Sequence, residues 1–371
     1  MIPQAPRLRS RTWSNANGHQ SFINLAPCLP EAARKLLLSY RKGPPTTVAG
    51  TIYRLPRTDP SVPIHKCYTP ISAIEAREKE GLMHYKKGDR VKHPAKEDWG
   101  LGEVLEDPSG KNIRIFFVGA GEKTLSLSHV QPRKVTGDMA EHPVLDNLRI
   151  APPGSAVRYQ SLPRSIKTFL EQFPEGFYGE KFKRHERDYK EKAHVLVQRI
   201  LSKEEFFALL SDEAYSEVAK RSLKLLNATN LVFPNEKMAL KDGLSDQTSQ
   251  MEFSNTLFEL LYGEDELKQR FTAFSTALDN MNAGKWTIAT YFPFMASPDK
   301  YMFVKPTITK HAAELCGFEI NYKPELNWLT YKSVLDLSDY LLKELSKLSP
   351  RDMIDVQSFM WCISPGTYKD S

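Results

Sequence analysis

The chain of 371 residues is poor in cysteine and has no long apolar run. Its four cysteines lie far apart and form no Cys-x-x-Cys pair, so a zinc ribbon or a dense disulfide framework is not expected. A reducing cytoplasm fits this cysteine usage best. No stretch approaches the roughly eighteen apolar residues of a membrane span, and the first residues lack the apolar core of a signal peptide. We therefore expect a cytoplasmic protein that makes no contact with a membrane.

Signatures of catalysis are missing as well. The nine histidines show no His-Glu-x-x-His or other metal-ligand spacing, and no Gly-x-Ser-x-Gly elbow occurs. Residues 119–124 depart from the Walker phosphate loop because Glu122 precedes Lys123, and a hairpin turn is predicted there. Asp352 and Asp355 are three residues apart, but a place near a helix start explains Asp352 more simply. The sequence thus predicts no catalytic residue, no cofactor and no metal site.

Positive charge is concentrated ahead of residue 88. Residues 1–87 hold 14 Lys or Arg and 5 Asp or Glu, whereas residues 88–135 hold 8 and 7, and the remainder holds 29 and 33. Recurrent prolines in the first stretch discourage long helices and central strands. We predict a semi-ordered basic N-terminal arm over residues 1–87, with one or two short helices. Charge asymmetry of this kind suggests contact with a polyanion.

Within the arm, three arginines precede a tryptophan. Arg7, Arg9 and Arg11 lead to Trp13, and such a cluster can neutralise phosphates and stack on a base. A solvated terminus without function would show the same pattern. These four residues are therefore candidates for nucleic-acid or partner binding.

Residues 88–135 contain four short strand signals, each followed by turn-forming residues. Gly100 and Gly102 interrupt the second signal and suggest a bulge or a sharp bend. Asp107–Gly110 combines a proline, which fixes φ, with a glycine, which permits positive φ. Apolar and other residues alternate along 112–118 with the period of a half-buried strand. The sequence predicts a small β-barrel, which is too narrow to enclose a catalytic pocket.

The order of these segments carries a resemblance. Gly88-Asp-Arg-Val, Trp99-Gly-Leu-Gly-Glu-Val and, after a hydrophobic strand, Gly121-Glu-Lys-Thr-Leu are similar to a small SH3-like, Tudor-like barrel family of unknown function in bacterial proteins. A related barrel lies at the C-terminal end of some bacterial repair helicases. In related barrels such modules contact RNA polymerase or nucleic acid. The resemblance therefore implies DNA or RNA as a partner, or an RNA polymerase- or helicase-type protein.

Several barrel side chains are candidates for this contact. Trp99, Phe116 and Lys123 fall on the matching segments. Trp99 is predicted to be either an anchor in the barrel core or a surface contact, and the sequence does not decide between them. The full set of barrel candidates is Arg90, Lys92, Trp99, Arg114, Phe116 and Lys123.

A linker is predicted over residues 136–161 and a mainly helical domain over residues 162–371. Apolar residues follow helical spacing along 182–201, and 267–278 carries a stripe that is expected to be core. Residues 243–250 are predicted to form a polar loop. The helical domain is expected to contact a second protein.

Four local features of the helical half concern the choice between helix and strand or the position of a helix end. Residues 285–295 favour a strand by composition, although a buried helix is equally compatible. Thr309 is predicted to cap a helix that Gly317 closes. A helix is predicted over 332–348. In the next one, Ser349 would be the cap and Pro350 the first helical residue.

The helical half also carries a resemblance. Pro298-Asp-Lys-Tyr-Met-Phe-Val-Lys-Pro, Asn327-Trp-Leu-Thr-Tyr and Pro350-Arg-Asp-Met-Ile-Asp-Val-Gln-Ser-Phe resemble a helical region of bacterial proteins linked to restriction or phage defence. The resemblance implies a setting in phage defence, and it assigns no role to any of these residues.

The sequence thus predicts an α+β protein: a small SH3-like or Tudor-like β-barrel followed by a mainly α-helical domain, with a semi-ordered basic N-terminal arm. The favoured hypothesis is a non-catalytic binding protein that contacts nucleic acid, or a machine that processes it, through the arm and the barrel. Bacterial DNA repair, transcription or phage defence would be its setting. One alternative is a protein–protein adaptor without nucleic-acid binding. The other is a nuclease or nucleotide hydrolase with a site in the helical domain, near Asp352, Asp355, Lys305 and His311.

Overall fold

The structure, a computed structural model, describes residues 84–150 and 158–368. A small antiparallel sheet is followed by a mainly helical part, which confirms the predicted α+β class. Both parts lie in one unit, Glu78–Ser371. The candidates of the predicted N-terminal arm fall outside the described residues. These are Arg7, Arg9, Arg11 and Trp13.

The sheet has five antiparallel strands in the order β4-β3-β2-β1-β5, and we refer to it as the barrel. Strands β1 to β4 form a meander, and β5 returns to pair with β1. The strand signals of the sequence are confirmed, whereas β5, which follows the predicted closing turn, was missed. The hydroxyl of Tyr85 donates a hydrogen bond to the carbonyl of Pro132 at 2.7 Å and ties the chain ahead of β1 to the chain ahead of β5. The strands are β1 Arg90–Lys92, β2 Leu101–Val104, β3 Asn112–Phe117, β4 Gly121–Ser126 and β5 Arg133–Val135.

The two faces of β3 belong to different cores. Successive side chains of a strand point to opposite faces. Ile113, Ile115 and Phe117 point into a small core inside the barrel, and each is at most 1% exposed. Phe116 points the other way, is 2% exposed and belongs to the core of the helical part. The barrel core consists of Tyr85, Val91, Val104, Ile113, Ile115 and Phe117.

Gly102 allows β2 to lie against the bulky side chains of β3. A Cβ atom at this position would lie 2.6 Å from the Phe117 ring and 2.8 Å from the Ile115 side chain. Both side chains are buried, so neither can move aside easily. The glycine that the sequence suggested as a bend is thus explained by close packing inside the barrel.

Tyr159 joins the barrel to the helical part. Its ring centroid lies 4.7 Å from that of Phe116 in an edge-on arrangement, and its hydroxyl donates a hydrogen bond to the carbonyl of Val118. Glycines flank the ring on both sides. A Cβ on Gly121 would approach the ring to 2.9 Å, and one on Gly317 would approach it to 3.1 Å. The ring therefore fills a slot that lies between β4 and the end of a helix.

Polar contacts reinforce this junction. Arg90 on β1 pairs with Glu103 at 2.6 Å inside the sheet and with Asp146 at 2.7 Å beyond it. Leu148 forms an antiparallel bridge with Phe318. Within the segment predicted as a linker, 136–161, these contacts and a short helix fix the chain against the helical part.

The helical part contains the following helices, numbered along the chain. They are α1 Pro143–Asp146, α2 Leu162–Gln172, α3 Glu180–Phe182, α4 Asp188–Ile200, α5 Lys203–Ser211, α6 Tyr215–Asn227, α7 Pro234–Gly243, α8 Gln247–Tyr262, α9 Leu267–Asn280, α10 Trp286–Ala296, α11 Pro306–Cys316, α12 Trp328–Glu344 and α13 Met353–Ile363.

Helix α10 lies at the centre of the helical core. All of its residues are buried, and a helix that is apolar on every side must be enclosed in this way. The ambiguous segment 285–295 is therefore a helix. Its last carbonyl groups find partners on α4: His194 hydrogen-bonds to the carbonyl of Met295 at 2.7 Å, and Gln198 donates to that of Ala296 at 2.7 Å.

Three predicted helix boundaries are wrong. Helix α11 begins after Lys305, so Thr309 lies inside it and is not its cap. Helix α12 begins one turn earlier than predicted, because Asn327 caps it by accepting a hydrogen bond from the Thr330 N–H at 2.8 Å. Residues 247–250, predicted to be part of a loop, form the first turn of α8. By contrast, the left-handed C-cap at Gly317 is confirmed, with a φ of +67°.

The start of α13 is also displaced from its predicted position. Ser349 adopts a left-handed conformation with a φ of 52° and does not cap the helix. Asp352 caps it instead, because its carboxylate accepts hydrogen bonds from the backbone N–H groups of Ile354 and Asp355 at 2.9 and 3.4 Å. The simpler explanation of Asp352 as a helix-start residue is thus confirmed, three positions later than the cap that the sequence suggested.

Candidate functional site

An aromatic and basic cluster lies at one end of the barrel core. Trp99 is partly buried, with its ring centroid 5.2 Å from that of Phe117 and 4.8 Å from that of His93. The ammonium group of Lys123 on β4 lies 5.8 Å from the Trp99 ring centroid, within the range of a cation–π contact. We call the residues His93, Trp99 and Lys123 the Trp99 surface. The candidate Lys92 is exposed, but it is paired in register with Leu101, whose side chain belongs to the core of the helical part, so Lys92 lies on the opposite face of the sheet.

Backbone contacts fix the position of Trp99. The 3-10 turn Glu97–Trp99 ends at Gly100, which has a φ of 68°. The carbonyl of Trp99 then accepts a hydrogen bond from the N–H of Gly119 at 2.9 Å. The loop before β2 is thereby tied to the turn between β3 and β4. Lys123 is the third residue of β4 after that turn and pairs in register with Ile115, whose side chain lies in the barrel core, so the lysine shares a face with the indole.

The Trp99 surface lies away from the helical part. Trp99 contacts Phe117, whereas the next side chain along β3, Phe116, points to the opposite face and contacts Tyr159. Lys123 forms no ion pair within the described residues. One cation without a carboxylate partner in the described chain and an aromatic ring therefore share one face of the barrel. Trp99 packs against the barrel core through Phe117, and part of its side chain remains exposed. Its contact with a partner stays a prediction.

The other barrel candidates are engaged in contacts of their own. Arg90 is paired with Glu103 and Asp146. Arg114 is held by Glu122 at 2.6 Å and Glu106 at 3.0 Å, and the hydrogen bond to Glu122 raises its pKa. The structure places the Phe116 ring in the contact with the helical part, at 2% exposure. These three side chains are thus not brought together with Trp99 and Lys123.

The acidic residues considered for catalysis form buried ion pairs. Asp355 is 0% exposed and binds Arg351 through both carboxylate oxygens, at 2.9 and 3.0 Å, and Arg187 at 3.2 Å. Asp352 receives both guanidinium NH₂ groups of Arg187, at 2.6 and 2.7 Å. Burial alone would lower the pKa of Arg187, but its bonds to Asp352 raise it. The arrangement clamps α13 to the start of α4.

A second buried pair lies beside this clamp. Lys190 is 0% exposed and donates to Glu186 at 3.2 Å and to the Ser358 hydroxyl at 2.7 Å. Burial lowers the pKa of Lys190, while the charge of Glu186 opposes that shift. The hydroxyl of Tyr368 donates to the second oxygen of Glu186. Sequence reasoning missed this group because a lysine on a charged helix is normally a surface residue.

Lys305 and His311 are not part of the Asp352–Asp355 group. The ammonium group of Lys305 lies 4.7 Å from the ring centroid of Phe233 and 4.9 Å from that of Trp361. Among the described residues, neither Lys305 nor His311 hydrogen-bonds to either aspartate, and no group of three or more His, Cys, Asp or Glu side chains is placed to hold a metal ion. The enzyme hypothesis gains no site from this geometry.

The described residues form a small five-stranded barrel-like domain joined to a helical part. A family model, described as a protein of unknown function (DUF3553), matches residues 85–135. The matched range begins at Tyr85, which the barrel core contains, and ends with β5. No curated protein and no solved structure matches the chain. None of the described helices has both the length and the apolar character that crossing a membrane requires.

Proposed function

We propose that the chain is a non-catalytic binding protein whose barrel contacts single-stranded nucleic acid through the Trp99 surface. The observation that carries this proposal is the contact between Lys123 and the partly exposed ring of Trp99, flanked by His93. An aromatic ring beside lysines is the combination that single-stranded nucleic acids bind, because bases stack on the ring and phosphates attract the cations.

The geometry supplies preorganisation for such a contact. The ring of Trp99 packs against Phe117, and its carbonyl accepts a hydrogen bond from Gly119. Because these contacts already position the ring, little conformational entropy is lost at this residue on binding. Lys123 has a long side chain without an ion pair in the described chain, so its ammonium group can follow a phosphate backbone. The basic residues of the N-terminal arm would add sequence-independent attraction, because they carry most of the positive excess of the chain.

Fluorescence anisotropy with labelled single-stranded DNA and RNA of about 20 nucleotides, a length that exceeds one small-barrel site, tests the proposal. Trp99→Leu keeps apolar bulk but removes the ring, and we expect at least about fivefold weaker binding, since one stacked base contributes on the order of 1–3 kcal/mol. Lys123→Ala should lower the salt dependence by about one released counterion.

Lys111→Ala is the matched control for Lys123→Ala. Lys111 is exposed in the turn between β2 and β3, at the other end of β2 from Trp99, so its removal should leave the affinity nearly unchanged. Equal losses from both lysine variants would show that the barrel attracts nucleic acid only by general charge. Absence of binding at low salt, for DNA and RNA alike, would remove the proposal.

A nucleic-acid-processing machine is the second partner class within this proposal. Capture of an RNA polymerase- or helicase-type protein that survives nuclease treatment, and is lost in Trp99→Leu, would assign the Trp99 surface to that protein contact. The identity of the captured machine would then distinguish bacterial DNA repair, transcription and phage defence as the setting.

A further inference from the structure

A short segment follows α13 and folds back along the end of that helix. Residues 364–368 belong to no helix or strand. Gly366 lies in a turn with a φ of +77°, a backbone conformation that glycine adopts without strain. The Thr367 hydroxyl then donates hydrogen bonds to the carbonyl groups of Trp361 at 2.6 Å and of Ser364 at 2.8 Å. We call residues 364–368 the strap.

Tyr368 connects the strap to the interior of the helical part. Its hydroxyl donates a hydrogen bond to Glu186, which lies just ahead of α4. Its ring centroid lies 5.5 Å from that of Phe173 in an edge-on arrangement. Both Glu186 and Phe173 are buried, whereas Tyr368 is only partly buried. Burial and the hydrogen bond to Glu186 raise the pKa of the Tyr368 hydroxyl, so this group keeps its proton and remains a donor.

Tyr368 is the outermost member of a series of polar contacts. The other carboxylate oxygen of Glu186 accepts a hydrogen bond from Lys190 at 3.2 Å, and Lys190 donates a second one to the Ser358 hydroxyl at 2.7 Å. Lys190 and Ser358 are completely buried. Within the described residues Lys190 has no carboxylate partner besides Glu186. If Tyr368 left, one oxygen of Glu186 would lose its donor, and water would have to replace it at the edge of the buried ion pair.

The strap itself is held by few contacts. Pro365 and Gly366 are exposed, and no atom lies within 4 Å of a Cβ placed on Gly366. Within the described part of the chain, residues 365–368 form no hydrogen bond between backbone groups. Ser364, by contrast, stays attached to α13 because its hydroxyl donates to the carbonyl of Met360 at 2.7 Å. The strap beyond Ser364 can therefore lift without breaking the hydrogen bonds of any described helix, and segments of this kind open locally at low cost in free energy.

We propose that the strap is a gate, held shut by the Tyr368 hydroxyl, which controls the access of water to the buried Glu186–Lys190 pair. When the strap lifts, Glu186 loses its hydroxyl partner and the Lys190 amine becomes reachable from solvent, while the helices stay folded. The gate acts where the start of α4 meets α13, which Lys190 and Ser358 join. The strap lies in the helical part, so this inference does not depend on nucleic-acid binding at the Trp99 surface.

Amine labelling of the full-length chain tests the gate. A soluble N-hydroxysuccinimide ester of acetic acid acylates accessible amines, and mass spectrometry measures its rate at Lys190 relative to exposed Lys347. Tyr368→Phe removes the hydroxyl and keeps the ring, and we expect Lys190 to react at least about threefold faster. Tyr368→Ala removes the ring as well, and the increase should reach at least about tenfold.

A second variant opens the strap from its turn and leaves Tyr368 in place. The methyl group of Gly366→Ala would touch no neighbouring atom but is strained at a φ of +77°, so we expect severalfold faster labelling of Lys190. Gly110→Ala is its control, because Gly110 has a similar φ of +61° and equally open surroundings in the barrel. Tyr262→Phe is the control for Tyr368→Phe, because it removes a tyrosine hydrogen bond of 2.6 Å near the other end of α4. Both controls should leave the rate at Lys190 unchanged.

Amide hydrogen exchange distinguishes a gate from a general loss of stability. Local opening in Tyr368→Ala should speed exchange at the start of α4 and at the end of α13, whereas the wholly buried α10 should exchange as slowly as in the wild type. Circular dichroism verifies that each variant is folded.

Three results would overturn the proposal. One is unchanged labelling of Lys190 in Tyr368→Ala and Gly366→Ala alike, which would show that the strap does not control access. Another is equal labelling of Tyr368→Phe and the wild type, which would show that the hydroxyl does not hold the strap. The last is faster exchange throughout α10 together with faster labelling, which would reduce Tyr368 to a contribution to overall stability. Absence of oligonucleotide binding would count against the proposed function and leave this inference standing.

Discussion

The barrel and the helical part bury their aromatic side chains in different ways. The barrel core contains few residues, and the only bulky rings completely inside it are those of Phe117 and Tyr85 among the described residues. The helical part instead surrounds a wholly buried helix, α10, with aromatic side chains from many elements. Because a sheet this small buries little apolar area alone, it uses Phe116 and Leu101 to join the larger core. The barrel is thus stabilised from outside through the face that carries Phe116, whereas Trp99 packs on the face that carries Phe117.

Phe116→Ala should have the largest effect, because it weakens the packing of the barrel against the helical part. The variant removes a ring that is 2% exposed and contacts Tyr159, so we expect a loss of about 3–5 kcal/mol in the free energy of unfolding. Chemical denaturation measures the loss. The barrel should then unfold separately, ahead of the helical part. Arg114→Ala, on the same face but at the surface, should change stability by less than about 0.5 kcal/mol. Comparable losses in both would show that the junction does not stabilise the barrel.

Asp355→Ala should be similarly severe but confined to the helical part. The variant removes the buried carboxylate that Arg187 and Arg351 share. Breaking a buried ion pair in this way typically costs about 3–5 kcal/mol. Thermal unfolding followed by circular dichroism would report the loss. Because the Trp99 surface lies on the barrel, oligonucleotide affinity of the folded fraction should persist. A variant that keeps normal stability but loses an enzymatic activity would instead revive the enzyme hypothesis.

Gly102→Ala should have an intermediate effect, located inside the barrel. The added methyl group would lie within 3 Å of Phe117 and Ile115, and such overpacking costs on the order of 1–3 kcal/mol. Denaturant unfolding monitors the change. Gly110→Ala is the comparison for a glycine outside the packed interior: no atom lies within 4 Å of its Cβ, but its φ of +61° still imposes backbone strain. A smaller loss from Gly102→Ala than from Gly110→Ala would contradict the packing explanation.

The smallest expected effect is on the pH dependence of stability, and it comes from His142 at the start of α1. Burial lowers the pKa of His142, although the charges of Glu344 and Asp146 oppose the shift. The unfolded chain takes up a proton near the ordinary imidazole pKa of about 6.5, while the folded chain resists it, so stability is lost as the pH falls below that value.

His142→Asn tests this pH dependence. Asparagine can still cap α1, where His142 accepts a hydrogen bond from the Val144 N–H at 3.2 Å, but it does not titrate. The difference in melting temperature between pH 7.5 and pH 5.5 should be smaller in the variant than in the wild type. The pKa of Glu103 is raised mainly by burial, and because both proteins contain this group its contribution cancels from the comparison. An unchanged difference would show that His142 does not contribute.

Much of the barrel was accessible from the sequence, whereas its attachment was not. Period-2 alternation and glycine turns predicted the strands, because those patterns act within a few residues of one another. Phe116 and Phe117 are identical in type and adjacent, and nothing local distinguishes the ring that enters the barrel core from the ring that meets Tyr159. Of the candidates for the Trp99 surface, the matching segments indicated Trp99 and Lys123, but His93 was missed, since its contact depends on how a loop folds back.

The helical part shows the same division. Gly317 as a C-cap followed from its own chemistry, since a left-handed residue favours glycine. The cap at Asp352 was displaced, because Ser349-Pro350 is an equally good local start signal and the choice depends on Arg187, 165 residues away in sequence. Lys190 could not be predicted as buried, for its partners Glu186 and Ser358 only meet in the folded chain.

The sequence by itself therefore determined the α+β class, the strands of the barrel, most helices and the uneven charge, because hydrophobic period, turn chemistry and composition are local properties. Only the tertiary structure decided which face of the barrel is covered, which charged residues are buried in pairs, and which side chains meet beside Trp99. Those outcomes depend on contacts between residues far apart in the chain, and such contacts leave no local pattern.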